Sequence, residues 1–283
     1  MAEYRRANPY LIITAGATGS GKTRLMKETV ALLGLDIRTV VKILVDDLVE
    51  FNEKYRKKVD SIMKRIEQLC EGSQEGKDEC EKKAYENPSD ELIESFGTAY
   101  FNVRDSPGCW ADFPELNCND INDLLLDKAV RERKNIVFEF TGSYIPSWLL
   151  DTSRIDHVYN IVLAYSFVNA VTLNKRNTAR AYEAVQLYRL DRLKNAAPRL
   201  PNVSVENFST VVIPKLRKAL VQLYTECFLY HNPANCGNKR IDRLLLFDNN
   251  GGPDDFRLVF DSLVQGGLPV DDFMAIVDRS LHL

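Results

Sequence analysis

Short apolar runs alternate along the chain with longer stretches in which apolar residues recur every three or four positions. That alternation predicts βαβ units around a mainly parallel sheet. Five runs read as strands: 10–15 (YLIITA), 40–45 (VVKILV), 136–140 (IVFEF), 158–164 (VYNIVLA) and 244–247 (LLLF). Between the first two, the spacing predicts a helix over 22–33, with Leu25, Met26, Thr29 and Leu33 toward the sheet and Gly34 as its stop. Phe51, Tyr55, Val59, Ile62, Ile66 and Leu69 then form one stripe of a long amphipathic helix. The polar string CEGSQEGKDECEKK after it reads as a loop or hinge, so that about 51–118 looks like a helical insertion following strand two. Another helix begins at Asp120, with Ile121, Leu124, Leu125 and Ala129 on one side. The region from Asn169 to about Leu193 reads as helical, within an Arg-rich, lid-like segment over about 174–201 that Pro198 and Pro201 then break. Helices over 205–224 and from Asp271 complete the chain.

Composition narrows the class. With 45% hydrophobic and 27% charged residues, the 283-residue chain has the makings of a real core, which excludes wholesale disorder. A formal charge of -3 lacks the basic excess of a non-specific nucleic-acid binder. No apolar run approaches the ~20 residues of a membrane helix, and the start leaves no room for a signal peptide. Six cysteines without CxxC or Cys/His spacing suggest neither a disulfide framework nor zinc, so they read as reduced thiols of a cytoplasmic protein.

The strongest chemistry lies directly after the first strand. Gly16, Ala17, Thr18, Gly19, Ser20, Gly21, Lys22 and Thr23 match the GxxxxGK[ST] phosphate loop, with a strand before and a helix after. Its glycines let backbone amides wrap an anion, and the helix start adds the positive end of its dipole. Lys22 is expected on the β- and γ-phosphates and the Thr23 hydroxyl on Mg²⁺. Nucleoside triphosphate binding follows, within a single α/β domain of P-loop NTPase or kinase type, 1–283, having a mainly parallel five-stranded sheet.

The rest of the sequence selects among P-loop classes. A GTPase needs NKxD, whereas Asn174-Lys175-Arg176-Asn177 lacks the Asp. Motor and ring ATPases carry a strand ending in Asp, whereas the third strand has Glu139 followed by Phe140 and Thr141. A small-molecule kinase needs a base near the acceptor hydroxyl and arginines over the phosphates. Asp46 and Asp47, at the expected carboxyl end of strand two, supply base candidates, with helix capping as the plainer role for either. Glu139, amid apolar neighbours, needs a cation, a metal or a donor unless it turns to a solvated edge. Arg176 and Arg180 share a helix face, with Arg189, Arg192 and Arg199 farther on, and any one of them could simply be a solvated, ion-paired residue.

Taken together, these residues resemble the zeta-toxin family of P-loop kinases. GATGSGKT corresponds to that family's nucleotide loop and VDDLVE to its strand-two motif, in which Asp47 is the better match for the catalytic Asp. NIVFEFTGS is similar to its strand ending in Glu-x-Thr, which implies that Glu139 and Thr141 contact the acceptor. KRNTAR resembles its Arg-containing helix and puts Arg176 and Arg180 on the phosphates, while LLLFDNNG resembles a late strand at the adenine end. Where the family often has Arg and His-Pro after the catalytic Asp, this chain has Glu50, Phe51 and Asn52. The resemblance implies ATP and Mg²⁺ as cofactors and a small-molecule acceptor such as UDP-N-acetylglucosamine. It leaves open an inhibitory protein partner, while the acidic charge argues against nucleic acid. Two alternatives stand beside it: a nucleoside or polynucleotide kinase, and a non-catalytic ATP-binding partner protein.

Overall fold

The computed structural model describes residues 8–74, 76–144, 155, 159–200, 205–230, 241–251 and 255–282. The chain divides into two compact units, one of 1–43, 125–172 and 205–283, the other of 44–124 and 173–204.

The first unit is an α/β sheet. Its strands are β1 (Tyr10–Ala15), β2 (Val41–Ile43), β3 (Ile136–Phe140), β4 (Asn160–Phe167), β5 (Arg243–Asp248) and β6 (Arg257–Asp261), in the order β2-β3-β1-β4-β5-β6. All neighbours are parallel except β5 and β6, which pair antiparallel. The sheet thus has six strands where the sequence suggested five. β6 is short and half-exposed, so its pattern is weak; buried Asp261 ties it to β5 through an ion pair with Arg243 at 2.6 Å. Helix α1 (Lys22–Leu32) lays Leu25, Met26 and Val30 against Ile12, Val137, Val162, Ala164 and Leu245, making a core over one sheet face. Past the expected α-helix over 205–224, the chain is helical to Leu229, with π-helical turns at Phe208–Val212 and Leu223–Leu229 around an α-helical middle (Ile213–Gln222). The tail helix runs over Val270–Leu281.

The second unit is helical. It holds α2 (Val45–Glu50), α3 (Glu53–Cys70), α4 (Lys77–Glu86) and α5 (Asp90–Asp105), the start of α6 (Cys118–Arg131) and most of α7 (Ala170–Leu190). Its core joins Tyr55, Val59, Met63 and Ile66 of α3 with Phe96, Tyr100 and Val103 of α5 and with Val185 and Tyr188 of α7. The expected stripe of α3 is therefore rotated at both ends. Phe51 and Leu69 are exposed, while Met63 and Cys70 are buried, because the helix starts at Glu53 behind an Asn52 cap. On α6, Leu124 is exposed and Leu126 buried.

Three further expectations are corrected. The apolar run of strand two ends at Ile43, and the VDDLVE that follows Leu44 forms α2, whose apolar Val49 is buried. Half of the expected polar hinge is α4. The cysteines are not reduced: Cys70 pairs with Cys80 and Cys109 with Cys118, Cys227 is also disulfide-bonded, and no described cysteine is free. Each of these two pairs is about ten residues apart, a spacing outside the metal and redox patterns by which cysteines are recognised in sequence.

Candidate active site

The phosphate loop lies between β1 and α1, as its motif requires. Gly21 ends the loop in a left-handed conformation (φ 88°, ψ 30°) and caps α1 without any side-chain hydrogen bond, so no capping side chain occupies the amides at the helix start. At Gly16 a Cβ would stand 2.3 Å from Ser20 Oγ and 2.9 Å from the Ser166 carbonyl, so only glycine fits. The loop closes on itself through the Ser20 amide, which donates to the Ala17 carbonyl at 3.0 Å.

Lys22 bends back over this loop. Its ammonium donates to the carbonyls of Gly16 (3.1 Å) and Ala17 (3.4 Å) and lies 3.5 Å from Glu139 Oε1. Glu139 thus has the cation its apolar strand demanded, and β3 delivers it because Glu139 is in register with Thr14 of β1. Thr141 follows in the turn after β3, exposed, with its hydroxyl 3.0 Å from that of Ser143. Thr23 is exposed in the first turn of α1.

Two residues that sequence reasoning passed over support the loop from below. Ser166 Oγ and Asn249 Nδ2 both donate to the Ser20 carbonyl, at 2.6 and 2.7 Å, and all three residues are buried. The only signals were a polar residue near the end of the apolar run NIVLAYSF and the Asn pair after LLLFD. The Ser20 hydroxyl itself is buried and has no hydrogen-bond partner among the described residues. An orphaned buried hydroxyl in a ring of inward glycines suits a bound anion, and the donor set fits the phosphates of a nucleotide. Among the described residues no group of three or more His, Cys, Asp or Glu could hold a metal ion.

The remaining predicted residues fall in the helical unit. Asp46 and Asp47 occupy the first turn of α2 instead of a strand end, where negative charge suits the helix dipole. Neither is the N-cap, which is Leu44. Asp46 spends both oxygens inside the unit: one accepts from the Tyr100 hydroxyl and the other pairs with Arg199 at 2.9 Å. Asp47 is exposed. Arg199 also reaches Glu50 at 3.5 Å and lies over the Tyr100 ring. Burial pushes the Glu50 carboxyl up to about 7, against the pull of Arg199 and with the added push of Asp46 and Asp47.

Of the arginines, Arg189 is bound to Glu67 and Glu81, Arg192 to Glu53 and Asp60, and Arg199 to Asp46. These three hold the helical unit together. Arg176, half-buried, and Arg180, exposed, lie on α7 one turn apart, and burial lowers the Arg176 proton affinity.

No family model matches the chain, and no curated protein matches it. Among solved structures, it is similar to a chain from the PezAT chromosomal toxin–antitoxin system of the human pathogen Streptococcus pneumoniae. That likeness has 12% identity and a TM-score of 0.47 and covers 95% of this chain and 78% of the other.

Proposed function

We propose that the chain is an ATP-dependent kinase that moves the γ-phosphoryl group to a hydroxyl of a small molecule, for which the zeta-toxin resemblance suggests a nucleotide-sugar such as UDP-N-acetylglucosamine. The observation that carries the kinase reading is the loop itself: inward glycines, uncapped helix amides, a buried hydroxyl without a partner, and a lysine held beside them. When bound, Mg²⁺–ATP supplies the transferable phosphoryl group.

In this reading Lys22 leaves the loop carbonyls for the phosphate oxygens, and Thr23 holds the metal. Asp47 accepts the acceptor's proton, the role that the resemblance of VDDLVE to the zeta-toxin strand-two motif implies for it. Arg176 and Arg180, one turn apart on the same helix, neutralise charge on the transferring group. The Lys22 contact favours the phosphate side for Glu139, which leaves Thr141 as the acceptor-side candidate of that strand.

No helix among the described residues is long and apolar enough to cross a membrane. The cytoplasmic placement rested on reduced thiols, and the disulfides remove that support, since such bonds persist mainly in oxidising surroundings.

Incubation with γ-labelled ATP and a metabolite extract, read by mass spectrometry, tests the proposal. A metabolite heavier by one phosphate, missing with Asp47→Asn, is expected. Tight ATP binding without any phosphorylated product would replace it with the non-catalytic nucleotide-binding reading.

A further inference from the structure

We propose that Ser166 and Asn249 are positioning residues that aim the amide of Gly21 into the phosphate loop, an inference that rests on the loop's binding phosphate as described above. A trans peptide is planar, with its carbonyl and amide pointing in opposite directions, and the described chain has no cis bond. Whatever fixes the Ser20 carbonyl therefore fixes the Gly21 amide on the other side of the same plane. Ser166 Oγ at 2.6 Å and Asn249 Nδ2 at 2.7 Å occupy that carbonyl, matching its two lone pairs.

The clamp is built from rigid parts. Ser166 belongs to β4. Asn249 follows β5 and is anchored by its own amide, which donates to the Phe167 carbonyl at 2.9 Å. Asn249 also sits against Gly21: a Cβ there would lie 2.5 Å from Nδ2, so the glycine admits the clamp as well as the left-handed turn. The next peptide is fixed by the helix. The Gly21 carbonyl accepts from the amides of Arg24 (2.9 Å) and Leu25 (3.0 Å), which turns the Lys22 amide back toward the loop by the same planar rule.

Two successive amides are thus oriented before any anion arrives, one by buried side chains more than a hundred residues away and one by the helix. Preorganised donors bind a developing or fixed anion without a reorganisation cost, which is why a clamp behind the loop affects affinity in front of it. Asn249→Asp would set a carboxylate oxygen against the Ser20 carbonyl and favour the flipped peptide, whereas Ser166→Thr keeps the donor.

The test uses the full chain, inorganic tripolyphosphate and Mg²⁺–ATPγS. Affinity is measured by calorimetry, the Gly21 amide proton by NMR, and the unfolding temperature separately. Ser166→Ala and Asn249→Asp are each expected to weaken tripolyphosphate about tenfold to a hundredfold and to shrink the shift of the Gly21 amide on binding. Ser166→Thr should retain both, and it keeps the test open if Asn249→Asp does not fold. Full affinity and a full Gly21 shift in Ser166→Ala, with Lys22→Ala inactive in binding, would overturn the clamp alone. Failure of the wild type to bind either probe would instead overturn the phosphate-loop reading on which it stands.

Discussion

The Lys22 ammonium lies 3.5 Å from the Glu139 carboxylate, both side chains largely shielded from solvent. In the loop as described, Glu139 competes with any anion for that lysine. Glu139→Gln is expected to tighten binding of Mg²⁺-free ATP about fivefold, the size of a modest ion pair. Unchanged or weaker binding in a titration without divalent cations would show that Glu139 does not compete for Lys22.

The two mapped disulfides each close a loop of about ten residues, and each has an inner cysteine, Cys70 or Cys118, in the core of the helical unit. Loops of that size give about 3 kcal/mol per bridge through the unfolded state. Cys80→Ser and Cys109→Ser should each lower the unfolding midpoint by several degrees, and a reductant should lower it further in the wild type than in the double variant, which keeps the disulfide of Cys227. Alkylation before reduction that labels all four cysteines in folded protein would refute the pairing.

Much of the first unit was legible because its signals are local. GATGSGKT needs only a preceding strand and a following helix, and both are where YLIITA and KTRLMKETVAL place them. The boundary after Ile43 was not legible, since the apolar residues of ILVDDLVE continue unbroken from strand into helix and periodicity cannot divide a run that short. The support of Ser20 was hidden for another reason. It depends on Ser166 and Asn249, which only the sheet order β1-β4-β5 brings beneath the loop. Arg189, Arg192 and Arg199 read equally well as phosphate ligands or as structural cations until their carboxylate partners on α2, α3 and α4 were in place.

Glu81 has a side chain only 3% exposed, and Arg189 binds it at 2.7 Å. Removing the cation leaves this buried carboxylate to Lys77, which is half-exposed and 4.0 Å away, and costs up to about 3–5 kcal/mol. Arg189→Met should destabilise by that amount, and adding Glu81→Gln should recover most of it in a denaturant titration. Equal stability of the single and double variants would assign the loss to packing.

Glu50 titrates near 7 in the folded protein, above its ordinary value of 4.5, chiefly because it is buried. A carboxyl with a raised folded value favours the native state while protonated. Its contribution is full below about 4.5 and is lost as pH rises through 7. Glu50→Gln should therefore equal the wild type below about pH 4 and exceed it above pH 8, by at most about 3 kcal/mol. An advantage that does not change with pH would contradict the assignment.

Calorimetric titration of Mg²⁺–ATPγS into the wild type and Lys22→Ala reaches the central claim most directly. The account predicts one site per chain in the wild type and a loss of at least about tenfold in affinity when the lysine is removed. Equal binding by both proteins, or none by either, would contradict it.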